Sequence, residues 1–136
     1  MSEGYPKKSL IEKLGIKEGF KVFVPNPPKF YWQTLGELPN GVFVAKALRG
    51  PLDFFHFFTI KRDELERKFP ILKRKLSKSG VLWISWPKSS SKVETDLNEN
   101  IVREIGLKIR MIDVKVIAVD ESWSGLKFVY RTRYRK

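Results

Sequence analysis

The chain has 136 residues, enough for one domain and too few for two. It is 42% hydrophobic and 13% aromatic, so it can build a core without disulfides or metal. It has no cysteine and a single histidine, His56. That excludes thiol catalysis, Cys/His metal sites and any Ser-His-Asp triad not built on His56; the expectation is no catalytic residue, no metal and no cofactor. Against 15 Asp and Glu stand 27 Lys and Arg, a formal net charge of +12, which points to an anionic partner such as nucleic acid. No apolar run approaches the roughly 18 residues that cross a bilayer, and the polar start leads into no signal-like stretch. The expected location is therefore cytoplasmic, with no membrane partner. One glutamine, four asparagines and many charges form a balance typical of thermophile proteins.

In chain order, residues 9–16 predict a short amphipathic helix, with Leu10, Ile11 and Leu14 on one face, Ser9 as N-cap and Gly15 as stop. Residues 20–24 predict a strand ended by Pro25, Pro27 and Pro28. A second short helix is expected over 30–38, a strand over 42–47 and another over 54–60, the last buried on both faces. The strongest helical period covers 63–77, where Leu65, Phe69, Leu72 and Leu76 share a face and Pro70 predicts a kink. Gly80 is expected to stop that helix before a strand over 81–86. A polar loop follows, then a helix capped by Asp96 with Glu99 in capping-box position, burying Ile101, Val102 and Ile105 and fraying at Gly106. Two closing strands, 112–119 and 126–131, are joined by a link short enough for an antiparallel hairpin. The fold class predicted is a single three-layer α/β domain: a mostly parallel sheet of about six strands, helices on both faces, and a C-terminal antiparallel hairpin.

The turn Leu76-Ser77-Lys78-Ser79-Gly80, the strand after it, the next helix and the closing hairpin resemble the C-terminal half of class I methyltransferases, a Rossmann-like fold. The opening Leu10-Ile11-Glu12-Lys13-Leu14-Gly15-Ile16-Lys17-Glu18-Gly19 resembles the lead-in to that fold's first strand. Over nearly the whole chain, the blocks Gly50-Pro51-Leu52-Asp53, Trp86-Pro87-Lys88, Thr95-Asp96-Leu97 and Val114-Lys115-Val116 resemble a family of small bacterial and archaeal proteins of unknown function. So does the run Ala118-Val119-Asp120-Glu121-Ser122-Trp123-Ser124-Gly125-Leu126-Lys127-Phe128. The resemblance implies a reduced methyltransferase core and leaves activity open.

Binding of S-adenosylmethionine by that fold requires a glycine-rich turn after the first strand and an acidic residue on the second. This chain has Pro25-Asn26-Pro27-Pro28 at the first position and no acid over 42–48 at the second. Asn26-Pro27-Pro28 also resembles the Asn-Pro-Pro-aromatic motif of amino-methyltransferases that act on flipped bases, but Lys29 interrupts it and the motif follows the wrong strand. His56, flanked by Phe54, Phe58 and Ile60 on one strand face, is expected to be a buried, hydrogen-bonded core group. Asp120, Glu121, Ser122 and Trp123 in the hairpin link are expected to bond local amides. At the sheet edge where ligands usually sit, Asn26 and the loop Lys88, Ser89, Ser90, Ser91 and Lys92 form a weak candidate ligand site.

The charge is uneven. Residues 61–78 hold eight positive and three negative side chains, and residues 111–136 hold six and three, so +8 of the +12 comes from these two segments. Arg67, Lys68, Lys73, Arg74, Lys75 and Lys78 with Arg131, Arg133 and Arg135 are the expected polyanion-binding residues. The leading expectation is a non-catalytic module for an anionic partner. The alternatives are a methyltransferase or other nucleotide-ligand enzyme on a degenerate fold, and a homodimeric interaction protein paired through an edge strand.

Overall fold

In the computed structural model, which describes residues 8–131, six strands form one sheet in the order β2-β1-β3-β4-β6-β5. The elements in chain order are α1 Leu10–Leu14, β1 Lys21–Phe23, α2 Tyr31–Leu35, β2 Phe43–Val44, β3 Leu52–Phe58 and α3 Arg62–Lys75. They continue with β4 Leu76–Pro87, α4 Glu99–Lys108, β5 Met111–Ala118 and β6 Trp123–Tyr130. β2, β1, β3 and β4 run parallel, and β6 lies antiparallel between β4 and β5. This is the predicted architecture, hairpin included.

Alternation along β3 feeds two cores, one on each face of the sheet. Phe55 and Phe57 meet Leu65, Phe69 and Leu72 of α3 and Val102 and Ile105 of α4. Phe54 and Phe58 meet Leu14 of α1 and Tyr31 and Leu35 of α2. Burial on both faces explains why this strand reads as Phe-Phe-His-Phe-Phe without polar alternation. α1 opens with the capping box expected of Ser9 and Glu12, and Gly15 closes it in the left-handed conformation.

Three local expectations are corrected. Gly80 does not end α3: the helix passes straight from Lys75 into β4, and Gly80 lies inside that strand. A side chain there would press on Leu76 and on the carbonyl of Asp53, so a close approach holds the position as glycine. α3 runs through Pro70 as one helix. Asp96 does not cap α4: Asn98 does, accepting from the Ile101 amide, while Asp96 accepts from the Arg62 amide at 2.7 Å and so caps α3 instead. Gly106 is neither a stop nor a frayed end. It lies within α4, where a Cβ would run into the ring of Phe128.

Candidate functional site: a basic hollow and a filled crevice

β1 has β2 on one side and β3 on the other, so the chain reverses its direction of travel across the sheet there. The C-terminal ends of β1 and β3 are thus the switch point at which open α/β sheets usually bind ligands. Here that place is filled. Tyr31, Val24 and Phe58 are all buried, and the Tyr31 ring packs edge-on against Phe58 at 5.5 Å and against His56 at 5.4 Å. Pro25, Pro27 and Pro28 supply no amide donors, and Asn26 takes the left-handed backbone at φ 52° that a glycine would accept more readily. These residues do not make the glycine-lined cradle that S-adenosylmethionine requires.

His56 is fully buried, as expected, and held from both sides. Its Nδ1 lies 2.8 Å from the Tyr31 hydroxyl and its Nε2 2.8 Å from the Ser85 hydroxyl. A neutral imidazole donates through one nitrogen and accepts through the other, so it satisfies both hydroxyls at once. Burial lowers its pKa to about 3 and raises that of Tyr31, so both stay uncharged at neutral pH. The relay carries no open face for a substrate. In the hairpin link, Asp120 accepts from the amides of Ser122 and Trp123 at 2.7 and 2.8 Å, the local turn role expected of it.

The candidate ligand loop is divided. Lys88, Ser89, Ser90 and Lys92 line a hollow of about 730 Å³ beyond the end of β4, together with Glu94 and Glu99. Ser91 is not in that lining: its hydroxyl donates to the Lys88 carbonyl and accepts from the Val93 amide. Asn26, two strands away at the end of β1, does not join them. Two lysines against two carboxylates give no net attraction for an anion. The neighbouring hollow, lined by Lys61 with Asp63, Glu94 and Asp96, is acidic. Among the described residues no cluster of His, Cys, Asp or Glu could hold a metal ion.

Positive charge converges elsewhere. Lys73, Arg74, Lys78 and Arg110 line one hollow of about 650 Å³ with Pro70, Ile109 and Tyr130, and among the described residues no carboxylate lines it. The geometry follows from where two helices end. The Tyr130 hydroxyl donates to the Lys73 carbonyl at 2.6 Å, in the last turn of α3. The Lys73 ammonium donates to the Ile109 carbonyl at 2.6 Å, at the end of α4. The Lys78 ammonium sits 4.5 Å from the centre of the Tyr130 ring, a cation–π distance. The two basic segments therefore adjoin in space, through Tyr130.

A helix C-terminus attracts cations in any case, so the charge balance decides what this cluster means. Two helix ends carry roughly −0.5 each. Arg74, Lys78 and Arg110 by themselves exceed that by about two charges. The described ion pairs join Arg62 to Glu66 and Arg103 to Glu99 and Asp113. None involves Arg74, Lys78 or Arg110.

Of the expected polyanion set, Lys73, Arg74 and Lys78 line the hollow. Arg67 lies two helical turns before Arg74 on the same flank of α3, whereas Lys68 and Lys75 lie on the opposite flank by helical spacing. Arg131 follows Tyr130 and by alternation starts on the other face of β6. Arg133 and Arg135 lie outside the described residues. Sequence reasoning missed Arg110, which falls just outside both charge-rich segments. The available signal was its place after a helix end: Arg110 adopts φ 68°, a left-handed conformation usually given to glycine.

No sequence-family profile matches the chain, and no curated protein matches it. Solved structures do. A SAM-dependent methyltransferase from Aquifex aeolicus is similar at 19% identity and a TM-score of 0.57, over 88% of this chain and 86% of that one. Magnesium protoporphyrin IX methyltransferase from Synechocystis PCC 6803, with bound SAM, gives 10% and 0.61 over 90% and 74%. The DhpI–SAH complex gives 10% and 0.64 over 92% and 83%. At such identities the likeness concerns architecture alone: the chain has a methyltransferase-like, Rossmann-like α/β fold.

Proposed function

We propose that this chain is a non-catalytic module on a methyltransferase-like fold that binds an anionic partner, nucleic acid or another polyanion, at the hollow between the C-terminal ends of α3 and α4. The carrying observation is the grouping of Lys73, Arg74, Lys78 and Arg110 around one hollow that no carboxylate of the described residues lines. Contacts of this kind are sensitive to salt, because each neutralised phosphate releases counterions.

Fluorescence anisotropy with a labelled oligonucleotide and with inorganic polyphosphate, each at two salt concentrations, tests the reading. Binding should weaken steeply as salt rises. The double variant Lys78→Glu/Arg110→Glu should lose affinity by roughly tenfold or more, since two attractions become repulsions. Lys92→Glu, at the opposite end of the sheet, should leave binding near wild type. No binding at low salt, or equal binding by the double variant, overturns the proposal.

A second reading takes its support from the fold, which is similar to a magnesium protoporphyrin IX methyltransferase described with bound SAM and with bound SAH. Calorimetry with S-adenosylmethionine separates the two. A flat trace agrees with the filled crevice under Tyr31, and saturable heat would favour the enzyme reading.

A further inference from the structure

The parallel strands begin, and β6 ends, on the same edge of the sheet, and cations collect along it. Lys21 opens β1, Arg49 leads into β3, Lys75 and Lys78 flank the start of β4, and Arg110 leads into β5. At the opposite edge the charges are mixed, Asp63, Glu94, Asp96 and Asp120 lying among Lys61, Lys88 and Lys92. On the cationic edge Asp53 is already engaged, accepting from the Lys21 amide at 2.8 Å. The edge that faces away from the usual cofactor crevice is therefore the one that attracts anions.

A second concavity lies on this edge. Beside the two-residue strand β2, a groove of about 560 Å³ is lined by Lys21, Phe43, Lys46 and Arg49 among small apolar groups. Phe43 is 61% exposed, as is Phe30, whereas ten other aromatic side chains are buried in the two cores. Phe43 shares its groove with three cations, Lys21, Lys46 and Arg49. The groove and the basic hollow lie on either side of the C-terminal end of α3. A Cβ on Gly50 would stand 2.9 Å from the Lys75 carbonyl oxygen, so the groove's wall rests directly on the end of α3.

We infer that this edge is a track for single-stranded nucleic acid, with phosphates held in the basic hollow and an unpaired base stacked on Phe43. The inference rests on the reading of the hollow as an anion site and adds the class of anion. Cations alone would serve any polyanion, but an exposed ring beside them is a stacking platform, which only unpaired bases can use. From β2 to β6 the sheet spans four strand spacings, roughly 20 Å. A track of that reach suits the short footprints, on the order of 4–16 nucleotides, of single-strand binding surfaces.

Anisotropy titrations of the full chain with labelled oligonucleotides of graded length, a duplex hairpin and inorganic polyphosphate test the inference. The single strand should bind more tightly than the duplex, with affinity rising with length and then levelling off. Phe43→Ala should weaken single-strand binding by roughly 5- to 100-fold, the range seen when one stacked base is lost, and leave polyphosphate binding unchanged. Phe43→Trp should restore it. An exposed side chain on a two-residue strand is removable without loss of fold, which a thermal melt verifies. Equal binding of single strand and duplex, or an unchanged affinity in Phe43→Ala, overturns the track. If polyphosphate still binds and Lys78→Glu/Arg110→Glu still weakens it, the hollow survives that failure. If polyphosphate binding is absent or indifferent to those two residues, the proposal for the hollow falls as well.

Discussion

His56 is the residue whose chemistry is most altered by the fold. It accepts a proton near pH 6.5 when unfolded and only near pH 3 when folded, because burial between Tyr31 and Ser85 penalises the charged ring. The unfolded chain thus binds the extra proton first. The stability that neutral His56 provides is complete above about pH 6.5 and is lost as pH falls toward 3, at about 1.4 kcal/mol per pH unit. Urea unfolding of the wild type and of His56→Gln across pH 7 to 4 isolates this slope from that of the carboxylates. The variant should be weaker at neutral pH but should lose less stability per unit. Parallel curves would show that the proton is taken up elsewhere. That His56 would be buried was legible from its phenylalanine neighbours. Its two hydroxyl partners were not, since they lie 25 and 29 residues away.

At the scale of elements, the helices and strands appear where periodicity placed them, and the errors concern how elements meet. Gly106 shows why. A glycine near the end of an apolar helical stretch reads as a stop, yet here α4 continues to Lys108 and the missing side chain admits the Phe128 ring. Gly106→Ala would raise local helix propensity by about 1 kcal/mol. Against that, it forces a rigid ring aside, and overpacking of this kind costs about 1–3 kcal/mol. The net expectation is destabilisation, read as a lower denaturation midpoint. The pair Gly106→Ala/Phe128→Leu should recover part of the loss, because the smaller side chain returns the space. Asp96 teaches the same lesson with hydrogen bonds. Its spacing to Glu99 fits a capping box, but the Arg62 amide at the start of α3 lies closer to hand, and Asn98 is left to cap α4.

For the whole molecule, the decisive property is the excess of positive charge along one edge of the sheet. Arg74, Lys78 and Arg110 share one hollow and enter none of the described ion pairs, so salt or an anionic partner eases their mutual repulsion. Lys127, on the other face, has its pKa lowered by desolvation and then by Lys115 and Lys17, a further sign of like charges held close. Added salt should therefore raise the melting temperature of the free chain while weakening its hold on polyanions. Arg110→Gly should be more thermostable than the wild type, since it removes both a left-handed backbone cost and one repelling charge. The same variant should bind polyanions less well. Differential scanning calorimetry and anisotropy on one preparation measure both sides. A variant that is less stable would show that the guanidinium serves the fold instead.

The amino-acid sequence by itself determined the alternation of strands and helices, the antiparallel closing hairpin, the lack of cysteine and the excess of positive charge. These depend on side-chain period, turn chemistry and residue identity, all of which are local. Only the tertiary structure decided that Tyr31 fills the crevice at the end of β1, and that Arg110 joins Lys73, Arg74 and Lys78 while Lys68 and Lys75 turn away. It also placed Phe43 in the open beside three cations. The physical reason is that a site is a convergence of strand ends. The order in which strands lie in the sheet, which no single segment encodes, sets which ends converge.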